Sequence, residues 1–403
     1  MNYSKEDVIE YAREEDVKFI RLSFLDVFGR QKNISIMPHE LSRAFSSGIA
    51  FDASAVAGFG DELRSDLFLR PEPETLIPLP WRPEHGRVVQ MFSSITWPDG
   101  SLFPADTRGL LKKALSDAKK AGFRFTFGAE QEFYLFRTDE AGKATKIPCD
   151  EAGYMDVAPE DSGENIRREI CLTLEQMGIH PESSHHEEGP GQNEIDFRYS
   201  DPLSAADQAV MFRRVVRTVA GRNGLSADFS PKPLPDAPGS GFHINMSLQP
   251  FPDRKTFSHI IAGILENIRA MTLFLNPSEA SYRRLGSHKA PRYISWSEEN
   301  RSQLIRIPAA EGEYRRLELR SPDPAANPHL AFALLIYAAL SGIQRELSLC
   351  PPSNVNLYRA GPEILSRMET LPGSLKEAVA VAEGSSFIRS CLPEEILSAY
   401  LNL

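Results

Sequence analysis

The chain has 403 residues, 41% of them hydrophobic and 25% charged, and a formal net charge of −10. That length exceeds one ordinary core, so a large domain with a smaller companion is expected. The acidic balance leaves no dominant basic patch for nucleic acid or an anionic membrane surface, and no apolar run approaches the roughly 20 residues that span a bilayer.

The N-terminal stretch MNYSKEDVIEYAREED is charged and lacks the apolar core of a signal peptide, which points to a cytoplasmic protein. Residues 17–36 read as two β-rich stretches around a turn near 26–29. The Pro-rich segment 70–83 cannot hold a helix and reads as a connector. Leu110, Leu111, Ala114, Leu115 and Ala118 mark an amphipathic helix that Gly122 ends. These features put a small domain at 1–104 and a large one at 105–403. Apolar spacing of three and four predicts further helices near 162–177, 204–221, 256–274 and 324–347. The cysteines, Cys149, Cys171, Cys350 and Cys391, stand far apart without a CxxC pair, as reduced thiols do.

Between the helices lie segments of period two. In FRFTFGAEQEFYLF, Phe125, Phe127, Ala129, Gln131 and Phe133 share one face, while Glu130 and Glu132 share the other. Carboxylates two residues apart lie about 7 Å from each other and repel when ionised, so a cation is expected beside them. NEIDFRY sets Glu194, Asp196 and Arg198 against Ile195, Phe197 and Tyr199. FHINMSL sets His243, Asn245 and Ser247 against an apolar face, and RRLELR does the same with Arg316, Glu318 and Arg320. Taken singly, such a strand is usually half-solvated. Four of them predict one sheet whose polar face is a charged cleft. The turn SSHHEEGPGQ adds His185, His186, Glu187 and Glu188. Glutamate oxygens with one imidazole and no thiolate favour Mg²⁺ or Mn²⁺ over zinc, and arginines suit phosphate or carboxylate ligands. There is no P-loop and no dinucleotide fingerprint. The residues alone reach a two-metal phosphoryl-transfer enzyme with a small anionic substrate, and stop there.

The blocks GAEQEF, HHEEGPGQNEIDFRY, PGSGFHINMSL, NPSEASYRRL, NRSQLIRIP and RRLELRSPDPAANPHL resemble, in the same order, those of prokaryotic-type glutamine synthetases. VKFIRLSFLDVFGRQKNISI and GIAFDASAVAGFGDELRSDLFLRPEPETL resemble that family's small N-terminal domain. The resemblance implies an α+β fold, with a small N-terminal β-grasp domain and a large catalytic domain whose curved antiparallel sheet is flanked by helices. It implies ATP-dependent joining of L-glutamate to ammonia through γ-glutamyl phosphate, with two to three Mg²⁺ or Mn²⁺ ions per site. By position, Glu132, Glu187 and Glu194 match one ion's ligands, and Glu130, His243 and Glu318 match the second's. Gly239, Arg284, Arg320 and Tyr154 match substrate-binding positions. Asn245, Ser247, Arg301, Arg306 and Arg316 match positions that serve ATP, with Arg301 also at the phosphoryl group in flight. The resemblance further implies a homo-oligomer with active sites between subunits, Asp52 being the neighbour's catalytic contribution.

The amine half departs from this pattern. FDASA keeps Asp52 but has Ala55 where a second hydroxyl is expected. The flap RLGSHKAP is one residue short of the family's flap and puts Lys289 in place of a glutamate. A charged lysine there repels ammonium, whereas a neutral one in a closed site would act as a base. Tyr358 matches a tyrosine that some members adenylylate, and the ending SAYLNL stops short of the helix that locks two rings into a dodecamer. The leading expectation is a glutamate–ammonia ligase. The alternatives are a ligase that uses another amine to make a γ-glutamyl amide, and a catalytically silent paralogue.

Overall fold

Apolar alternation along Val17–Leu25 and Gln31–Ile36 closes a hairpin, as expected, at Gly29, whose φ of +80° suits glycine. A Cβ at Gly29 would sit 2.8 Å from the Asn327 Cα, so the turn docks directly on the second half of the chain. The computed structural model describes residues 3–60, 62–82, 85–310 and 312–403. In the first sheet Val17–Leu25 runs parallel to Arg87–Thr96, which pairs antiparallel with Asp66–Pro71 and through it with Ile49–Asp52. Helices Lys5–Glu14 and Leu41–Ser47 pack on it.

The expected Pro-rich connector is instead woven into this sheet. Arg70 and Pro71 pair with Ser94 and Ser93, and Ile77 and Pro78 pair with Gln90 and Val89; residue 83 lies outside the described residues. Proline removes one backbone donor, and at the end of a strand that donor is not needed. Between the two pairings, buried Glu72 accepts from Arg108 and Lys112 on the helix Thr107–Lys120. Arg108 also donates to Asp207 at 2.9 and 3.0 Å, and His329 Nε2 lies 2.8 Å from the same carboxylate. This buried chain of charges stitches the first sheet to the helices behind the second.

The second sheet runs in the order Trp296–Glu298, Ile305–Ile307, Leu317–Leu319, Phe242–Leu248, Phe125–Thr138, Gln192–Phe197, Pro181–His186. It is antiparallel except where Trp296–Glu298 and Ile305–Ile307 run together. Its apolar face packs on the helices Pro202–Arg222 and Pro328–Gln344, with Phe133 edge-on to Phe212 and Phe127 against Phe332. Helices Glu164–Gln176 and Arg254–Leu275 complete the predicted set. Helix starts differ from the expected ones by up to a turn, and for Pro202–Arg222, Arg254–Leu275 and Pro328–Gln344 a capping side chain sets them. Asn327, for example, accepts from the His329 N–H and starts its helix at Pro328. No helix among the described residues is long and apolar enough to cross a membrane.

Candidate active site

Strand register assembles the site. Glu132 lies opposite Glu194, which lies opposite His185; Glu130 lies opposite both Asp196 and His243; Glu318 lies opposite both Asn245 and Arg306. Directly opposed residues share a face of a sheet. Their side chains therefore stand on one face, above a cleft of about 610 Å³. Phe127, Phe133, Ile195, Phe242, Ile244, Leu317 and Leu319 are buried on the other. A larger cavity of about 1200 Å³, lined in part by Arg21, Arg213, Arg214 and Arg217, contains none of the predicted site residues.

The cleft concentrates negative charge. His243 stands amid three carboxylates, 3.3 Å from Glu130 and 3.9 Å from Glu132 and Glu318. Glu132 accepts from the Gly241 N–H at 2.8 Å and from Gln192 Nε2 at 3.0 Å. Burial, and then repulsion from Asp196, Glu132, Glu130 and Glu187, pushes the Glu194 carboxyl well above the usual range. Burial and then Glu130 push Asp196 up to about 6. Burial and the charge of Glu187 also raise Glu132, against the pull of His243 and Arg284. Such crowding calls for cations. Ligand atoms of Glu130, Glu194 and His243 lie within 4.8 Å of one another, as do those of His185, Glu187 and Glu194. Hard oxygens with imidazole fit Mg²⁺ or Mn²⁺. Asp150, Asp161 and His186 form a third such group, but its members are already engaged. Arg167 pairs with Asp161, while His186 lies between Asp150 and the Glu187 carbonyl, at 2.9 and 2.7 Å. That group holds the turn that carries Glu187.

Arginines line the opposite wall. Glu318 accepts from Arg306 and Arg320, which together with His243 overcome its burial and hold its carboxyl down at about 2. Buried Arg284 donates to the Ser321 carbonyl at 2.7 Å beside Gly239, where a Cβ would lie 2.8 Å from the Arg284 Cγ. Arg301 and Arg316 also line the cleft, and Tyr154 and Lys289 stand exposed at its rim.

Three predicted residues stand elsewhere. Asp52 is exposed on the first sheet, its carboxylate accepting from the Ser54 backbone and hydroxyl, and it does not line the cleft among the described residues. Ser247 donates to the Arg315 carbonyl at 2.8 Å, and Asn245 bridges Glu130 and Arg316 at 2.6 and 3.0 Å. Both lie on the same face as His243 but beyond the end of the cleft, because their strand continues past it. Three residues that the sequence placed near the cleft without a role also contribute. Glu188, on the SSHHEEGPGQ turn, binds Lys289 across the cleft mouth. His185, expected to be a turn residue, lies 2.9 Å from Glu187 and edge-on to Tyr154. Asp196 faces Glu130 and accepts from Ser183. Period-two alternation along Pro181–His186 and Gln192–Phe197 carried the signal for the last two.

Residues 16–98 match the family described as glutamine synthetase, beta-Grasp domain, and residues 104–403 match glutamine synthetase, catalytic domain. Proteins named glutamine synthetase from Methanosarcina mazei and Clostridium saccharobutylicum are 43% and 42% identical to this chain, over 99% of it and 92% and 94% of theirs. A solved structure named as a GmaS/ADP complex shares 28% identity and a TM-score of 0.88, covering 98% of this chain and 94% of that one. The Plasmodium falciparum glutamine synthetase, 22% identical over 100% of this chain and 95% of its own, shares the fold with a TM-score of 0.87. With a β-grasp domain leading into a curled sheet flanked by helices, the chain belongs to the glutamine synthetase family of ligases.

Proposed function

We propose that the protein joins L-glutamate to ammonia at the expense of ATP, through γ-glutamyl phosphate. The observation that carries this is the register that sets Glu130, Glu132, Glu194, His243 and Glu318 on one face beside five arginines, Arg284, Arg301, Arg306, Arg316 and Arg320. Glu132, Glu187 and Glu194 would hold one divalent ion, and Glu130, His243 and Glu318 a second; two to three Mg²⁺ or Mn²⁺ ions per site fit the donors. Such ions supply neutralisation of the phosphate charge. Arg284 and Gly239 position the glutamate, and Arg320 reaches both glutamate and phosphoryl group. Arg301, Arg306 and Arg316 receive the phosphates, braced by Asn245 and Ser247. Phosphoryl transfer relies mainly on such positioning and electrostatic stabilisation.

Residues 1–104 would serve a neighbouring subunit's site in a homo-oligomer, bringing Asp52 to the amine. The ATP-supplied, reducing cytoplasm suits the four free cysteines. A second reading, in which another amine is the acceptor, is favoured by one observation: Lys289, not a carboxylate, stands on the flap and pairs with Glu188. The test is phosphate release from ATP with Mg²⁺ and glutamate, across ammonia and a panel of amines. Glutamate-dependent release with ammonia is expected. Release only with another amine selects the second reading, and none with any amine overturns both.

A further inference from the structure

We propose that Glu188 seats the acceptor's ammonium group at the cleft mouth and that Lys289 is its built-in competitor. Resting on the ligase reading above, this makes the acceptor a small primary amine, ammonia included, that arrives as a cation and displaces a tethered one.

The Lys289 side chain ends in a primary ammonium ion. It binds the Glu188 carboxylate across the mouth, 101 positions away in sequence, and lies 5.9 Å from the centre of the Tyr154 ring. That is within range of a cation–π contact. Tyr154 stands edge-on to His185, which lies 2.9 Å from Glu187, so the aromatic face and the carboxylates form one continuous wall. Any free ammonium ion reaching the rim meets the same carboxylate and the same ring that Lys289 already occupies.

The backbone of this loop is anchored by hydrogen bonds, whereas the Lys289 side chain is held by a solvent-screened pair with Glu188 and by the Tyr154 ring. The Tyr358 hydroxyl lies 2.5 Å from the Lys289 carbonyl and 2.9 Å from that of Arg301, and Lys232 Nζ lies 3.0 Å from the Ser287 hydroxyl. The Lys289 and Glu188 side chains are 59% and 34% exposed, so water and salt screen their contact. A free cation can therefore exchange with Lys289, whose advantage is the effective concentration that its tether confers. The four-carbon stem allows Lys289 to swing out without moving the loop.

Two measurements test this. Phosphate release against ammonium concentration is compared for the wild type, Lys289→Gln, Glu188→Gln and the double variant. Lys289→Gln is expected to lower the half-saturating ammonium concentration about tenfold, the tether's advantage being gone. The half-saturating glutamate concentration should stay unchanged, and Glu188→Gln should reverse the gain in the double variant. A half-saturating ammonium concentration that Lys289→Gln leaves unchanged or raises overturns the proposal. The second readout needs no turnover. Reductive ¹³C-methylation retains the lysine charge, and the Lys289 resonance, assigned by its loss in Lys289→Gln, is followed by NMR. Ammonium chloride should shift it where sodium chloride at equal ionic strength does not, and Glu188→Gln should abolish that response. A resonance indifferent to ammonium overturns the proposal even if the protein is a ligase. A responsive resonance without phosphate release for any amine leaves the cation seat standing and overturns the ligase reading.

Discussion

Arg306 Nη1 donates to Glu318 Oε2 at 2.7 Å, on a carboxylate whose other oxygen accepts from Arg320. Glu318 is thus both a proposed metal ligand and the counter-charge of two arginines. Glu318→Ala should lose activity and also leave those guanidinium groups facing each other uncompensated. We expect a fall in phosphate release of at least about 10²–10³-fold and a destabilisation of about 3–5 kcal/mol. Glu132→Ala should abolish phosphate release equally but lower the melting temperature less, because burial and Glu187 already disfavour its charge. Near-normal release by either variant with Mg²⁺ would remove the metal assignment.

Gly239→Ala tests the substrate pocket. The added Cβ would lie 2.4 Å from the Pro231 carbonyl and 2.8 Å from the Arg284 Cγ, so backbone or guanidinium must move. A shift of about 1 Å in a positioning group can cost up to about a hundredfold. The loss should fall on half-saturation by glutamate and spare that for ATP; equal effects on both would point to general disorder of the cleft.

The junction between the two sheets should be acid-sensitive. Arg108, working against burial, holds the Glu72 and Asp207 carboxyls below their usual range, Lys112 and His329 assisting. Their stabilising contribution is complete above the unfolded-state values of about 4 and is lost as pH falls through the lowered folded-state values. Arg108→Ala should therefore cost about 3–5 kcal/mol at neutral pH, with the deficit shrinking below about pH 4. Urea melts at neutral pH and in acid measure the difference.

Asp52 gives a test of shared sites. Asp52→Asn and Glu318→Ala should each be inactive alone. Refolded as an equal mixture, they should regain about a quarter of wild-type activity if each site takes Glu318 from one chain and Asp52 from the next in a ring. No recovery would mean that Asp52 serves its own chain or none.

Much of the cleft was legible because side-chain alternation is a local property. Glu130, Glu132, Glu194, His243 and Glu318 fall on polar faces by counting residues in twos. Contacts made by approach in space were not legible. Lys289 meets Glu188 from 101 positions away, and the amide of Asn245 is taken up between Glu130 and Arg316, whose strand returns only after a long excursion. The apolar spacing of its helix says nothing of Arg108, which is buried because Glu72 arrives from the Pro-rich segment to meet it. That segment was misread for the same reason: proline excludes a helix but says nothing about a strand end.

Phe125–Thr138 is flanked by Phe242–Leu248 on one side and Gln192–Phe197 on the other, so it has no open edge where it bears Glu130 and Glu132. Inserting or deleting one residue there would point Gln131 into the cleft and turn both glutamates toward Phe212 and Phe332. The loops carry no such parity, and a flap one residue shorter leaves every carboxylate in place. Diversification of this scaffold is therefore asymmetric: the rim can change in length, whereas the floor can change only in letter.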